Sequence, residues 1–204
     1  MGNGEFFSKP ESWLAIVTAG TALVAIWQTR KQIKLSNKQQ LMDRRIENYV
    51  LASALIENYE SAREELDLED IDGTFSRALN KIMFRTDILD VSMFSIPSDQ
   101  DAFLNDVNKK LSFIRQSATE IPIIFRNKEA NSIAVFIESC SLLLFNGIVY
   151  NVFMNMSSEK RKENKEAMKQ AQDRLIESFI DTDKNFESVI KLEAQKKLLE
   201  QIKL

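Results

Sequence analysis

The stretch Ser12-Trp13-Leu14-Ala15-Ile16-Val17-Thr18-Ala19-Gly20-Thr21-Ala22-Leu23-Val24-Ala25-Ile26-Trp27-Gln28 carries no charge and has a tryptophan near each end. Its apolar residues cover the whole circumference of a helix rather than a single stripe. Such a run reaches about 25 Å at helical rise, slightly short of a hydrocarbon core of about 30 Å. Tryptophans at both ends suit the two membrane interfaces and offset that shortness. The run therefore predicts a single membrane span, with Trp13, Ala15, Ala19, Ala22 and Trp27 as its anchoring residues. A buried core helix is the competing reading of the same letters. Ala15, Thr18, Ala19 and Ala22 share one face, which permits close helix–helix approach and self-association.

The flanks refine this. Upstream, Ser8-Lys9-Pro10-Glu11 has the form of a capping box, so the helix is expected to begin there. Phe6 and Phe7 are placed to sit at the headgroup level. Glu5, Lys9 and Glu11 are not the basic leader of a secretory signal, and no A-x-A cleavage site follows the run. Gly2 lacks the Ser or Thr that myristoylation needs, because Phe6 stands there. Downstream lie Arg30, Lys31, Lys34, Lys38, Arg44 and Arg45, opposed only by Asp43. The positive-inside rule then puts the N-terminus outside and the large C-terminal part in the cytoplasm. Arg30, Lys31, Lys34 and Lys38 are the expected contacts to anionic lipid headgroups, at about 1 kcal/mol each near the surface.

Beyond the span the pattern is that of amphipathic helices, and the fold class is all-α: a transmembrane helix continuing into a cytoplasmic bundle of about five helices. Three regions are expected: residues 1–28 as tail and span, 29–66 as a stalk helix, and 67–204 as the bundle. Along the stalk, Met42, Ile46, Tyr49, Ala52, Ile56, Tyr59 and Leu66 recur at three- and four-residue intervals. A helix to Leu66 would project about 55 Å from residue 30. Its far end is acidic, with Glu57, Glu60, Glu64, Glu65, Asp67, Glu69, Asp70 and Asp72 against Arg63 alone. Gly73 is expected to break this helix. A second then runs over 74–95 with Phe75, Leu79, Ile82, Thr86, Leu89 and Met93 inward. A third, capped by Ser98 and Asp101, carries Phe103, Val107, Leu111, Ile114 and Ala118, and Pro122 is expected to interrupt it.

A fourth helix, 131–155, is the most apolar, and Ser139 to Ser158 is again free of charge. A second span over 139–156 is thus an alternative. Asn146, Gly147, Asn151 and Asn155 would be costly in lipid. Lys160, Arg161, Lys162 and Lys165 follow at once, so two spans would force one basic cluster outside. A central bundle helix buried on all sides satisfies both objections. The fifth helix, from Ser158 onward, is charged and amphipathic. Ala167, Ala171, Leu175, Phe179, Phe186, Val189 and Leu198 are its inward positions, with a bend expected at Asp181-Thr182-Asp183.

Composition removes several chemistries. The chain of 204 residues has no histidine, one cysteine, and a net charge of −3. Histidine triads, HExxH zinc sites and Glu-x-x-His di-iron sites are therefore absent. A disulfide framework cannot form from Cys140 alone. Direct nucleic-acid binding is not expected from an acidic chain. Asp70-Ile71-Asp72-Gly73-Thr74 matches the D-x-D-G-T letters of haloacid-dehalogenase phosphohydrolases, but that chemistry needs the tip of a buried strand. Here a charged helix end precedes it, and a helix-ending turn explains the same letters. Aligned as an EF-hand, the turn would put Leu68 and Leu79 at ligand positions. No catalytic, metal or cofactor site is expected.

The passage Gln28-Thr29-Arg30-Lys31 through Asn37-Lys38-Gln39-Gln40-Leu41-Met42-Asp43-Arg44-Arg45-Ile46-Glu47-Asn48-Tyr49 resembles a group of bacterial proteins. These have a short N-terminal span, a basic juxtamembrane helix and a helical cytoplasmic region, and some are accessory or effector proteins of phage-defence loci. The resemblance implies a non-enzymatic effector of an abortive-infection system at the inner membrane, whose partners are membrane lipid and a protein partner or a second copy. The alternative is a membrane-tethered scaffold or adaptor that recruits a cytoplasmic partner.

Overall fold

The computed structural model describes residues 10–66, 68–85 and 100–203. Every regular element among them is helical, so the all-α expectation holds. Residues 1–9, 67, 86–99 and 204 lie outside this description. With them go the expected Ser8 cap, Phe6 and Phe7, the later part of the second helix, and the Ser98 cap of the third.

The elements are α1 (Pro10–Arg63), a 3-10 turn (Leu68–Asp70), a π-helical turn (Ile71–Phe75), α2 (Ser76–Arg85), α3 (Gln100–Phe125), α4 (Lys128–Met154), α5 (Ser158–Glu163), α6 (Lys165–Lys191) and α7 (Ala194–Ile202). The chain divides into two units, residues 1–44 and 45–204. The expected stalk therefore ends earlier than 66 as a separate element. From Arg45 onward α1 belongs to the bundle, where Ala52, Leu55, Ile56, Tyr59 and Ala62 are buried. Ile46, expected inward, is exposed. The helix stops at Arg63, ten residues before Gly73, and Gly73 sits inside the π-helical turn instead.

Helix α4 organises the second unit, packing most extensively on α3 and α6 and also on α2 and α7. Two stripes at helical spacing explain this: Ile133, Ile137, Cys140, Leu144 and Ile148 on one, Phe136, Leu143 and Tyr150 on the other. Side chains of this kind contribute about 1.5–3 kcal/mol each when fully buried. At the centre, Phe136 meets Tyr59 edge-on at 5.6 Å between centroids, and Phe186 lies 5.7 Å from Phe136. The expectation of burial on all sides needs correction. Asn131, Val135, Glu138 and Leu142 are exposed, so one side of α4 is uncovered.

Local signals set the boundaries. Asn127 caps α4 by accepting a hydrogen bond from the Ala130 N–H at 2.7 Å. Arg126, in the left-handed region at φ 54°, closes α3, its N–H donating to the Pro122 carbonyl. Pro122 does not interrupt α3, which runs on to Phe125. The proline lies in the last turn, where one lost backbone bond is offset by burial of Ile121, Ile124 and Phe125.

The C-terminal segment breaks elsewhere than at 181–183. Thr182 is fully buried within α6, its hydroxyl donating to the Ser178 carbonyl at 2.7 Å. The breaks fall at Asn164, whose side-chain amide donates to the Lys160 carbonyl, and at Glu193, with φ 47°. Ala171, Leu175, Phe186, Val189 and Leu198 are inward as expected, Phe179 is half-buried, and Ala167 is exposed.

Candidate functional site: the exposed N-terminal helix

Within the first unit most of the described apolar side chains stand in the open. Trp13, Leu14, Val17, Leu23, Val24, Ile26 and Trp27 are each more than half exposed. Seven large apolar side chains along some four turns make a contiguous apolar surface, of the kind that marks a contact with a membrane or with another protein. The hydroxyls of the run are turned back onto the helix. Thr18 donates to the Leu14 carbonyl at 2.7 Å, Thr21 to Thr18 at 2.9 Å, and Thr29 to Ala25 at 2.8 Å. These three hydroxyl hydrogens are thus satisfied within the helix, without water.

Helical register sorts the expected residues into faces. Trp13 and Trp27 are fourteen positions apart, close to four whole turns, and so share one side. Positions 15, 18, 19 and 22 fall on the opposite side, and a side chain added at Gly20 would meet nothing. Arg30, Lys31, Lys34 and Lys38 gather within about 100° of arc, all exposed. Lys31 holds its ammonium 5.4 Å from the centre of the Trp27 ring, a cation–π contact at the junction of the apolar and basic stretches.

Arg45, grouped by sequence with the basic run, has a different role. Its guanidinium donates to the Ile124 carbonyl at 3.3 Å and to the Gln201 carbonyl at 3.4 Å, and lies over the Phe125 ring. It therefore caps the C-terminal ends of α3 and α7 together, where carbonyls lack helical partners and the dipoles are negative. Sequence reading missed this, since nothing in Arg44-Arg45 marks the second arginine as internal.

The D-x-D-G-T letters fold as a turn. The Asp70 carboxylate accepts from the Thr74 N–H at 2.9 Å and the Thr74 hydroxyl at 3.2 Å. The Thr74 backbone bond, foremost, holds its carboxyl below the usual range. Asp70 is exposed at the head of the π-helical turn, and no strand occurs among the described residues. Cys140 is buried in α4, and burial pushes its thiol pKa up, away from the reactive thiolate.

Among the described residues the one helix long and apolar enough to cross a membrane is α4, Lys128–Met154, half of whose most apolar stretch is buried in the bundle. No protein-family model matches the chain, and no curated protein or solved structure is found similar to it.

Proposed function

We propose that the chain is a non-enzymatic, membrane-anchored helical protein that acts at the bacterial inner membrane as an effector of an antiviral, abortive-infection system. The observation that carries the anchor is the N-terminal helix itself. Its described apolar side chains are exposed, the hydroxyls of Thr18, Thr21 and Thr29 are satisfied within the helix, and a one-sided basic face follows. In this reading Trp13 and Trp27 sit at the two interfaces, and Arg30, Lys31, Lys34 and Lys38 meet anionic headgroups on the cytoplasmic side. The N-terminus is outside, and residues 45–204 are cytoplasmic. Helix α4 stays in the bundle, because its inner stripes hold the core together. The effector role rests on the resemblance of residues 28–49 to accessory and effector proteins of phage-defence loci.

A membrane-tethered scaffold is the second reading, favoured by the exposed acidic residues at and just beyond the end of α1, Glu57, Glu60, Glu64 and Glu65. One experiment separates them: induced expression in bacteria, following growth and membrane potential, beside a chain lacking residues 1–28. Depolarisation by the full chain alone supports the effector. Unchanged growth and potential, with the chain in the membrane fraction, favours the scaffold. A full chain recovered only in the soluble fraction overturns the anchor.

A further inference from the structure

The outer side of α6 carries two concavities in line. The first, of about 240 Å³, has Ile176 and Ile180 on its floor and Asp173, Glu177 and Asp181 at its edges. The second, of about 770 Å³, lies between α6 and the end of α1 over Phe186 and Ile190, rimmed by Glu60, Glu64 and Glu187. Ile180 is 54% and Ile190 49% exposed. Positions 176, 180, 187 and 190 follow one another by four, seven and three residues, so they share one face of the helix. From Ile176 to Ile190 that face extends about 21 Å, the length of some four turns of a partner helix.

The rims decide what can lie there. Arg63 is already engaged by Asp183 and Glu187, at 2.6 and 2.9 Å. Of the other cations, Lys191 lines the larger concavity and Lys184 stands exposed on the same side of α6 between the two, outnumbered by Glu60, Glu64, Asp173, Glu177 and Asp181. A second copy meeting the same patch across a two-fold axis would set acid against acid. An anionic lipid surface would be repelled in the same way.

We propose that this face docks a basic amphipathic helix of another protein, its apolar side chains resting on Ile180 and Ile190 and its lysines and arginines over the two rims. The inference goes beyond the anchoring of the chain and holds whether or not residues 12–28 cross a membrane.

The test uses the full chain in mild detergent and three labelled synthetic helices of about sixteen residues, enough to cover the face. One is basic and amphipathic, one has acidic residues in place of the basic ones, and one is a scramble of the first. Binding is read by fluorescence anisotropy. The basic helix is expected to bind, and the other two to bind at least tenfold more weakly, a difference of about 1.4 kcal/mol. Ile180→Ser and Glu177→Lys, both at exposed positions, each weaken the basic helix severalfold while circular dichroism stays unchanged. Glu138→Lys, on α4, leaves it unaltered. Equal binding of the scramble, no binding of the basic helix, or equal loss in Glu138→Lys overturns the proposal. So does a dimer in light scattering that Ile180→Ser dissociates, which would assign the face to a second copy.

Discussion

The Arg63 guanidinium meets the Asp183 carboxylate along two edges, Nε to Oδ1 at 2.6 Å and Nη2 to Oδ2 at 2.9 Å, joining α1 to α6 across 120 positions of sequence. The Tyr59 hydroxyl donates to the same carboxylate at 3.3 Å, and Phe186 lies beneath the guanidinium. Burial, then the Asp183 charge, keeps the Tyr59 phenol protonated far beyond its ordinary range. Removing the carboxylate leaves both donors without it. Asp183→Ala is expected to cost about 2 kcal/mol, read as a lower urea midpoint, and Tyr59→Phe about 1 kcal/mol or less.

A second ion pair makes stability depend on pH at both extremes. Lys197 donates to Glu129 at 2.7 Å, a bond that lowers the Glu129 pKa and raises that of Lys197. A lowered carboxyl stabilises above its unfolded pKa and loses that contribution as pH falls through the folded value. A raised ammonium stabilises below its unfolded pKa and loses that contribution as pH climbs through the folded value. The difference in unfolding midpoint between the native chain and Glu129→Gln should be largest from about pH 5 to pH 9. It should shrink on either side. A difference constant across the whole range would exclude this pair as its source.

Gly147 lets α2 lie close on α4. A Cβ there would collide with Leu79 Cδ2, and both residues are buried. Gly147→Ala is expected to destabilise by about 1–3 kcal/mol through overpacking. Leu79→Ala in the same chain should recover part of that loss, so the two changes are non-additive in thermal unfolding.

The turn at Asp70 offers a matching test of its letters. A Cβ at Gly73 would strike the Asp70 carboxylate. Gly73→Ala should therefore lower the melting temperature, and Asp70→Ala should relieve the clash. Asp70→Asn should leave any effect of the chain on growth or membrane potential intact. Loss of that effect with unchanged folding would instead mark Asp70 as chemically active.

Orientation can be tested through the one-sided basic face. On the proposed topology, with residues 45–204 inside, replacing Arg30, Lys31, Lys34 and Lys38 with glutamine should turn a uniform population into a mixed one. Protease protection in sealed inverted and right-side-out vesicles reads the proportions. An unchanged, uniform orientation would remove these residues as its determinants.

Much of the helical framework was legible because burial leaves a period. Ala52, Ile56 and Tyr59 in α1, Val107, Leu111, Ile114 and Ala118 in α3, and Leu175, Phe186 and Val189 in α6 all face inward at the expected positions. Three features were not legible, each for a physical reason. Asn131 and Glu138 mark the open face of α4, but with only two polar residues on it the apolar Val135 and Leu142 beside them read as inward. Arg126 and Glu193 take left-handed conformations where glycine is usual, so the ends of α3 and α6 lack their customary letter. Thr182 sits between two aspartates yet is buried, because its hydroxyl is satisfied one turn back and frees the side chain from water. The solitary Arg63 among acids was the one sequence sign of the α1–α6 pair, and only the fold supplies Asp183.

Cys140, enclosed by the packing of α4, is the chain's one thiol. A reagent that modifies thiols must wait for the bundle to open before it can react. The native protein therefore contains its own stopwatch. Its labelling rate, divided by that of the unfolded chain, gives the fraction of time α4 spends uncovered. Followed during binding of a partner or insertion into vesicles, that ratio reports whether the bundle tightens, loosens or stays as it is, with no residue changed.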